Sequence, residues 1–109
     1  MGKFVVGDVV AVSFPFSDLS GKKLRPALVL AEAERNDLIL CQITSKPFAS
    51  QKAVQISAAN FSEGSLPLTS YARPNKLFTA EVTIIQKHKG KLMTQHLQTI
   101  LKTAQELFR

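Results

Sequence analysis

The sequence predicts a mostly-β fold, a small antiparallel barrel with one C-terminal α-helix packed on it. Three observations predict it. Short apolar runs rich in valine, isoleucine and phenylalanine recur between polar turns from Val5 to Ile85. Those turns are short enough to join antiparallel neighbours, and from Met93 onward the apolar period changes from that of a strand to that of a helix. Consecutive antiparallel strands in a chain of 109 residues give a meander, which at this size curls into a small barrel.

The elements follow in order. A first strand begins near Val5, with Val10, Val12 and Phe14 on one face and Val9, Ala11 and Ser13 on the other. Pro15 marks its end or an edge. Ser17 to Leu24 reads as a polar hairpin loop carrying Lys22 and Lys23, with Gly21 free to take positive φ. Ala27 to Ala31 reads as a strand buried on both sides, Glu32 to Asp37 as a charged turn, and Leu38 to Ile43 as the returning strand. Ala53 to Ile56 gives a fourth strand, and Ser57 to Glu63 a short helical turn or loop before Gly64. Leu66-Pro67-Leu68 leads into Thr69 to Leu77, Phe78 to Ile85 alternates poorly but has strong β propensity, and Lys87-His88-Lys89-Gly90-Lys91 reads as a basic turn. In the last segment Met93, Leu97, Ile100, Leu101, Ala104, Leu107 and Phe108 keep one helix face apolar, and Thr94 is placed to cap its start.

Composition limits the functional classes. The length suits a single domain, and nothing in the sequence suggests a second. Fourteen lysines and arginines against eight acids give a net charge of +6, a field that favours an anionic partner such as nucleic acid or an acidic protein segment. The single cysteine, Cys41, lies in an apolar run and reads as a small buried hydrophobe. No apolar stretch is long enough for a membrane span or a leader, so a cytoplasmic protein is expected.

Conventional catalytic signals are sparse. His88 and His96 stand apart from other polar clusters and read as exposed surface residues. Metal-ligand spacing and Gly-rich phosphate loops are missing, so no cofactor and no metal are expected. What stands out is Arg25-Pro26 at the start of a buried strand, because a permanently charged guanidinium is fixed there at a strand mouth. If that strand begins near Arg25 and the next ends near Thr44, antiparallel pairing brings guanidinium and hydroxyl onto one rim. Ser45, Lys46 and a second arginine-proline pair, Arg73-Pro74, complete the set, with Ser20, Ser70 and Asn75 as neighbouring polar candidates. Phe16 and Tyr71 offer stacking faces for unpaired bases. Lys22 and Lys23 are placed to reach a phosphate backbone.

Three segments together resemble a known family. They are the Gly7-Asp8 opening with SFPF and K-x-RP-x-L-V-L, Ile43-Thr44-Ser45-Lys46, and Ser70 to Phe78 (SYARPNKLF). In that order and spacing they are similar to the MazF/PemK (Kid-like) ribonuclease toxins of type II toxin–antitoxin pairs. The resemblance implies an SH3-like, CcdB/PemK-like barrel, a homodimer, and metal-independent cleavage of single-stranded RNA. It also implies an acidic antitoxin protein as partner, whose disordered tail covers the RNA groove. Arg25 matches the family's catalytic arginine, Thr44 its catalytic threonine or serine, and Arg73 the arginine of the S-x-x-R segment. Two residues beyond that arginine, where Kid-like members carry a proposed proton acceptor, this chain has Asn75, which is no base.

Such cleavage asks little of a protein, since the nucleophile is the substrate's own 2′-hydroxyl. The protein must align the attack and stabilise the charge that builds on the phosphoryl oxygens. An arginine fork and a hydroxyl donor suit that task. Two other classes share the fold in this reading: a non-catalytic toxin that inhibits DNA gyrase, whose determinants would lie at the end of the C-terminal helix near Phe108 and Arg109, and a lapsed nucleic-acid-binding barrel, which Asn75 favours.

Overall fold

The computed structural model describes residues 4–15, 22–47 and 51–108. It contains seven strands, β1 (Asp8–Pro15), β2 (Lys22–Glu32), β3 (Asp37–Thr44), β4 (Val54–Ile56), β5 (Phe61–Gly64), β6 (Ser70–Glu81) and β7 (Ile85–Leu92), and one helix, α1 (Thr94–Glu106). All strand pairs are antiparallel, in the order β4-β6-β3-β2-β1-β7-β5. The two outermost strands, β4 and β5, are separated in sequence by only residues 57–60. Ser57 and Asn60 tighten that link, since Asn60 Oδ1 accepts from the Ser57 N–H at 2.8 Å and from its hydroxyl at 3.1 Å. The sheet must therefore curl until its edges meet, which gives the antiparallel half-barrel with a C-terminal helix that the sequence predicts.

The order of strands is not the plain meander expected. Only β1-β2-β3 run consecutively; β6 adds outside β3, and β7 adds outside β1. Alternation along the central strands divides the core between two faces. Val9, Leu28, Leu30, Cys41 and Ile43 pack with Leu97, Ile100 and Ala104 of α1. Val10, Val12, Ala27, Val29, Leu38 and Leu40 fill the other face with Phe4, Ala80 and Ile85. Ala27, Leu28 and Val29 are fully buried, as a strand covered on both sides requires.

Several boundaries differ from expectation, each for a local reason. β1 starts at Asp8 because residues 5–8 form a turn, in which the Asp8 carboxylate accepts the Val5 N–H at 2.9 Å. β2 begins at Lys22, so Lys22, Lys23 and Leu24 belong to a strand and not to the hairpin loop. Gly64 closes a fourth-edge strand, β5, where a turn was expected, and Val82–Ile84 form a 3₁₀ turn inside the run read as continuous strand. Lys87 to Lys91 lie within β7, paired to β1. Thr94 does not cap α1. The capping position falls on Met93, whose N–H is tied to the Asn60 carbonyl at 2.8 Å, and no side chain caps the helix there.

On α1 the buried positions are Leu97, Ile100 and Ala104, but Met93 and Phe108 at its ends are 44 % and 76 % exposed, outside the apolar stripe. His96 is not a free surface residue. Its Nε2 lies 2.7 Å from the Gln55 carbonyl oxygen, so it donates there and fastens α1 to edge strand β4. Among the described residues no helix is long and apolar enough to cross a membrane.

Candidate nucleic-acid interface

The site grows out of one proline. The β2–β3 ladder ends at Ala27 opposite Gln42, because Pro26 has no N–H to continue it. Carrying that register two residues further sets Arg25 opposite Thr44. Among the described residues no ladder pair joins β2 to β3 beyond that point, and a cavity of about 340 Å³ lies there. Leu24, Arg25 and Pro26 line it from β2, Ile43 to Lys46 from the end of β3, and Leu66-Pro67-Leu68 with Ser70 from the approach to β6. Ala11 and Lys89 complete the lining from β1 and β7.

The lining has one sign of charge. Arg25, Lys46 and Lys89 contribute cations, and among the described residues no carboxylate lines the cavity. Asp8, an acid near the arginine-bearing strands, is instead paired with His88 Nε2 at 3.2 Å. His88 is exposed as expected, but it stands in a strand and not a turn, with its Nε2 against the buried Asp8 carboxylate and the Phe4 ring stacked beside it at 6.5 Å between centroids. A lining whose described charges are all of one sign makes a cavity that attracts an anion.

The hydroxyls are oriented. Thr44 Oγ1 accepts the Lys46 N–H at 3.1 Å, so its own hydrogen remains a donor for a guest in the cavity. Ser70 is buried and its hydroxyl donates to the Leu68 carbonyl at 2.9 Å, which places it as a brace for the Leu66–Leu68 wall. Ser45 is exposed at the rim.

Arg73 and Asn75 lie elsewhere. Arg73 sits on β6 opposite Gln42, half-buried, and does not line the cavity. The register there jumps from Gln42↔Arg73 to Cys41↔Leu77, so Pro74, Asn75 and Lys76 are extruded as a bulge. A proline inside a paired strand demands such a break. Asn75 is exposed on that bulge, away from the lining. Lys22 and Lys23 are placed in β2 by their backbone alone, and Phe16 and Ser20 lie outside the described residues. Tyr71 pairs with Thr44 across β3 and β6 and is half-buried.

Two parts of the site were not legible in the sequence. Lys89 was read as part of a basic turn, and the Leu66-Pro67-Leu68 segment only as a lead into a strand. Cys41 takes no part: burial pushes its thiol up to about 12, so it stays neutral and unreactive. Among the described residues no group of three or more His, Cys, Asp or Glu stands together as a metal site.

The fold and this rim define a class, a curled antiparallel half-barrel with a cationic cavity where the ladder between two central strands stops. Residues 6–108 match the family of PemK-like, MazF-like toxins of type II toxin–antitoxin systems, and the chain belongs to that family. Among solved structures it is similar to MazE–MazF from Deinococcus radiodurans, with a TM-score of 0.75, 16 % identity, and 94 % of this chain and 93 % of that one covered. It is also similar to an endoribonuclease in complex with its cognate antitoxin from a mycobacterial species, at TM-score 0.67 and 18 % identity, covering 97 % and 96 %. The Mycobacterium tuberculosis toxin MazF-mt6 matches at TM-score 0.67 and 16 % identity, covering 91 % and 95 %. At such identities the likeness is one of fold. No curated protein sequence matches the chain.

Proposed function

We propose that this chain is a metal-independent endoribonuclease that cuts single-stranded RNA at a short sequence, the toxin of a type II pair. The observation that supports it most is the sharing of one cavity by Arg25 and Thr44, on the adjacent strands β2 and β3, with no carboxylate among the described lining residues. In the proposed reaction the 2′-hydroxyl oxygen attacks the adjacent phosphorus and the bond to the 5′-oxygen breaks. The products are a 2′,3′-cyclic phosphate and a 5′-hydroxyl, the proton lost from the 2′-oxygen being balanced by one gained at the 5′-oxygen. Arg25 grips the non-bridging oxygens through two parallel N–H bonds, and its charge opposes the negative charge that grows on them. Thr44 adds a neutral donor to the same oxygens. Arg73, one strand away and outside the lining, serves as an auxiliary cation. Asn75 carries no proton in this scheme, and the catalytic contribution is alignment and charge stabilisation.

The net charge of +6 and a cavity lined by cations and by no carboxylate among the described residues also suit an acidic antitoxin segment, whose carboxylates would take the place of the phosphates. Homodimer formation and a cytoplasmic location belong to the same reading. A non-catalytic toxin that acts by binding a protein target is favoured by one observation, the exposure of Phe108 at the end of α1.

Incubating the purified protein with a long single-stranded RNA in excess chelator tests the nuclease reading. Discrete fragments are expected, and intact RNA, or cleavage that returns only with added divalent metal, would contradict it. Thr44→Val keeps the side-chain shape but removes the donor. A hydrogen bond to a charged group is worth about 1.5–3 kcal/mol, so kcat/KM for the RNA should fall about 10- to 100-fold. Steady-state cleavage of a labelled oligonucleotide checks this.

A further inference from the structure

Lys89 is, with Lys46, one of two cavity cations that the proposed chemistry leaves unused. On β7 the register to β1 slips at this residue: Gly90 faces Val9 and His88 faces Val10, so Lys89 is the extra residue of a bulge. A bulged residue leaves plain alternation and is re-aimed, and Lys89 lines the same cavity as Arg25 and Thr44. The chain is fixed on both sides of it. His88 is held by Asp8 at 3.2 Å. Gly90 approaches β5 so closely that a Cβ there would come within 2.6 Å of the Glu63 carbonyl oxygen. The Lys89 carbonyl itself accepts the Ser65 N–H at 3.3 Å.

The sheet order gives this lysine its meaning. Between Arg25 on β2 and Lys89 on β7 lies only β1, which contributes Ala11 to the floor. Two steps of ordinary strand spacing separate β2 from β7 by about 10 Å. Arg25 stands level with Val12 and Lys89 between the levels of Val9 and Val10, so the two cations start from separate points of one groove, placed to hold different phosphates of one chain. At the opposite end of the cavity Lys46 follows β3.

We propose that Lys89 binds the backbone phosphate next to the one held by Arg25 and Thr44, so that bound RNA crosses the strands from β3 to β7. The inference rests on the nuclease reading and specifies the path of its substrate. A lysine contributes here as a point charge, adding affinity without sequence preference.

The test measures binding of the full chain to a short mixed-sequence single-stranded RNA with 2′-fluoro in place of each 2′-hydroxyl, which cannot be cut. Titrations over a range of salt concentrations compare the wild type, Lys89→Ala and Lys102→Ala, the last removing an equal charge from the exposed face of α1. For Lys89→Ala the affinity should fall about three- to fivefold, the worth of one exposed charge contact. The slope of log affinity against log salt should shrink by about 0.7, the value for one lost contact to a single strand. Lys102→Ala should change neither. An unchanged slope in Lys89→Ala, an equal loss in Lys102→Ala, or no binding by the wild type would each overturn the proposal. If the wild type binds this RNA but does not cut its ordinary counterpart, the nuclease reading fails while the slope still decides the role of Lys89.

Discussion

Replacing Arg25 by alanine should lower RNA cleavage by about a thousandfold while the protein remains folded. One preorganised donor aimed at developing charge is worth about 10²–10³ in rate, and the guanidinium supplies two such donors together with a full charge. Arg25 is exposed, three residues into β2, and the buried core begins at Ala27. Surface substitutions of this kind cost within about 0.5 kcal/mol of stability, so the melting temperature should move by only a few degrees. Arg25→Lys separates charge from geometry. It restores the charge but not the planar fork, and should recover less than about a tenth of the lost activity. Single-turnover cleavage and a thermal melt on the same preparations check both halves of this expectation. Full activity in Arg25→Ala would remove Arg25 from the chemistry.

The opposite dissociation is expected at Ile100. This residue is fully buried between α1 and the sheet face formed by Val9, Leu28, Cys41 and Ile43. Truncating a core isoleucine to alanine costs about 2–5 kcal/mol, through lost burial and the cavity left behind. In a domain of this size each kcal/mol lowers the melting temperature by about 4–8 °C, so Ile100→Ala should melt at least about 10 °C below the wild type. Of that core and the residues packed against it, only Ile43 and Leu66 line the cationic cavity among the described residues. The folded fraction should therefore cleave RNA within a few-fold of the wild-type rate. A denaturant midpoint measured alongside cleavage at low temperature checks it; an unchanged midpoint would show that α1 does not anchor the sheet.

Much of this was legible in the residues. Ala27 to Leu30 could be read as a strand buried on both sides because it is apolar without alternation, and Leu97, Ile100 and Ala104 announce a helix face by their spacing. The sharing of one rim by Arg25 and Thr44 was legible because both flank apolar runs joined by a short turn, which leaves antiparallel geometry only one way to bring them together. What the sequence hides is set by backbone irregularities and long-range pairing. The density of Lys, His and Gly in residues 87–91 imitates a turn, yet these residues form a strand because β1 on one side and β5 on the other supply partners. Gly64, at φ +69° and with room for no Cβ beside the Lys89 carbonyl, lets β5 come that close. Slippage of one residue at Lys89 has no periodic signature, so a side chain that seemed to point to solvent joins the cavity. Arg73 is the converse case. Its motif drew attention to it, but the bulge demanded by Pro74 leaves it beside the cavity and not in it.

Every role given to the cavity depends on the substrate supplying its own nucleophile while Arg25 and Thr44 hold the phosphate. The direct test is the chemistry of the ends left on fragments from the chelator digest, read by mass spectrometry and by 5′-labelling. The account predicts 2′,3′-cyclic phosphates paired with 5′-hydroxyls, and no cut at a site whose 2′-hydroxyl has been replaced by hydrogen. Fragments ending in 5′-phosphates and 3′-hydroxyls, or cleavage that survives the loss of that hydroxyl, would contradict it.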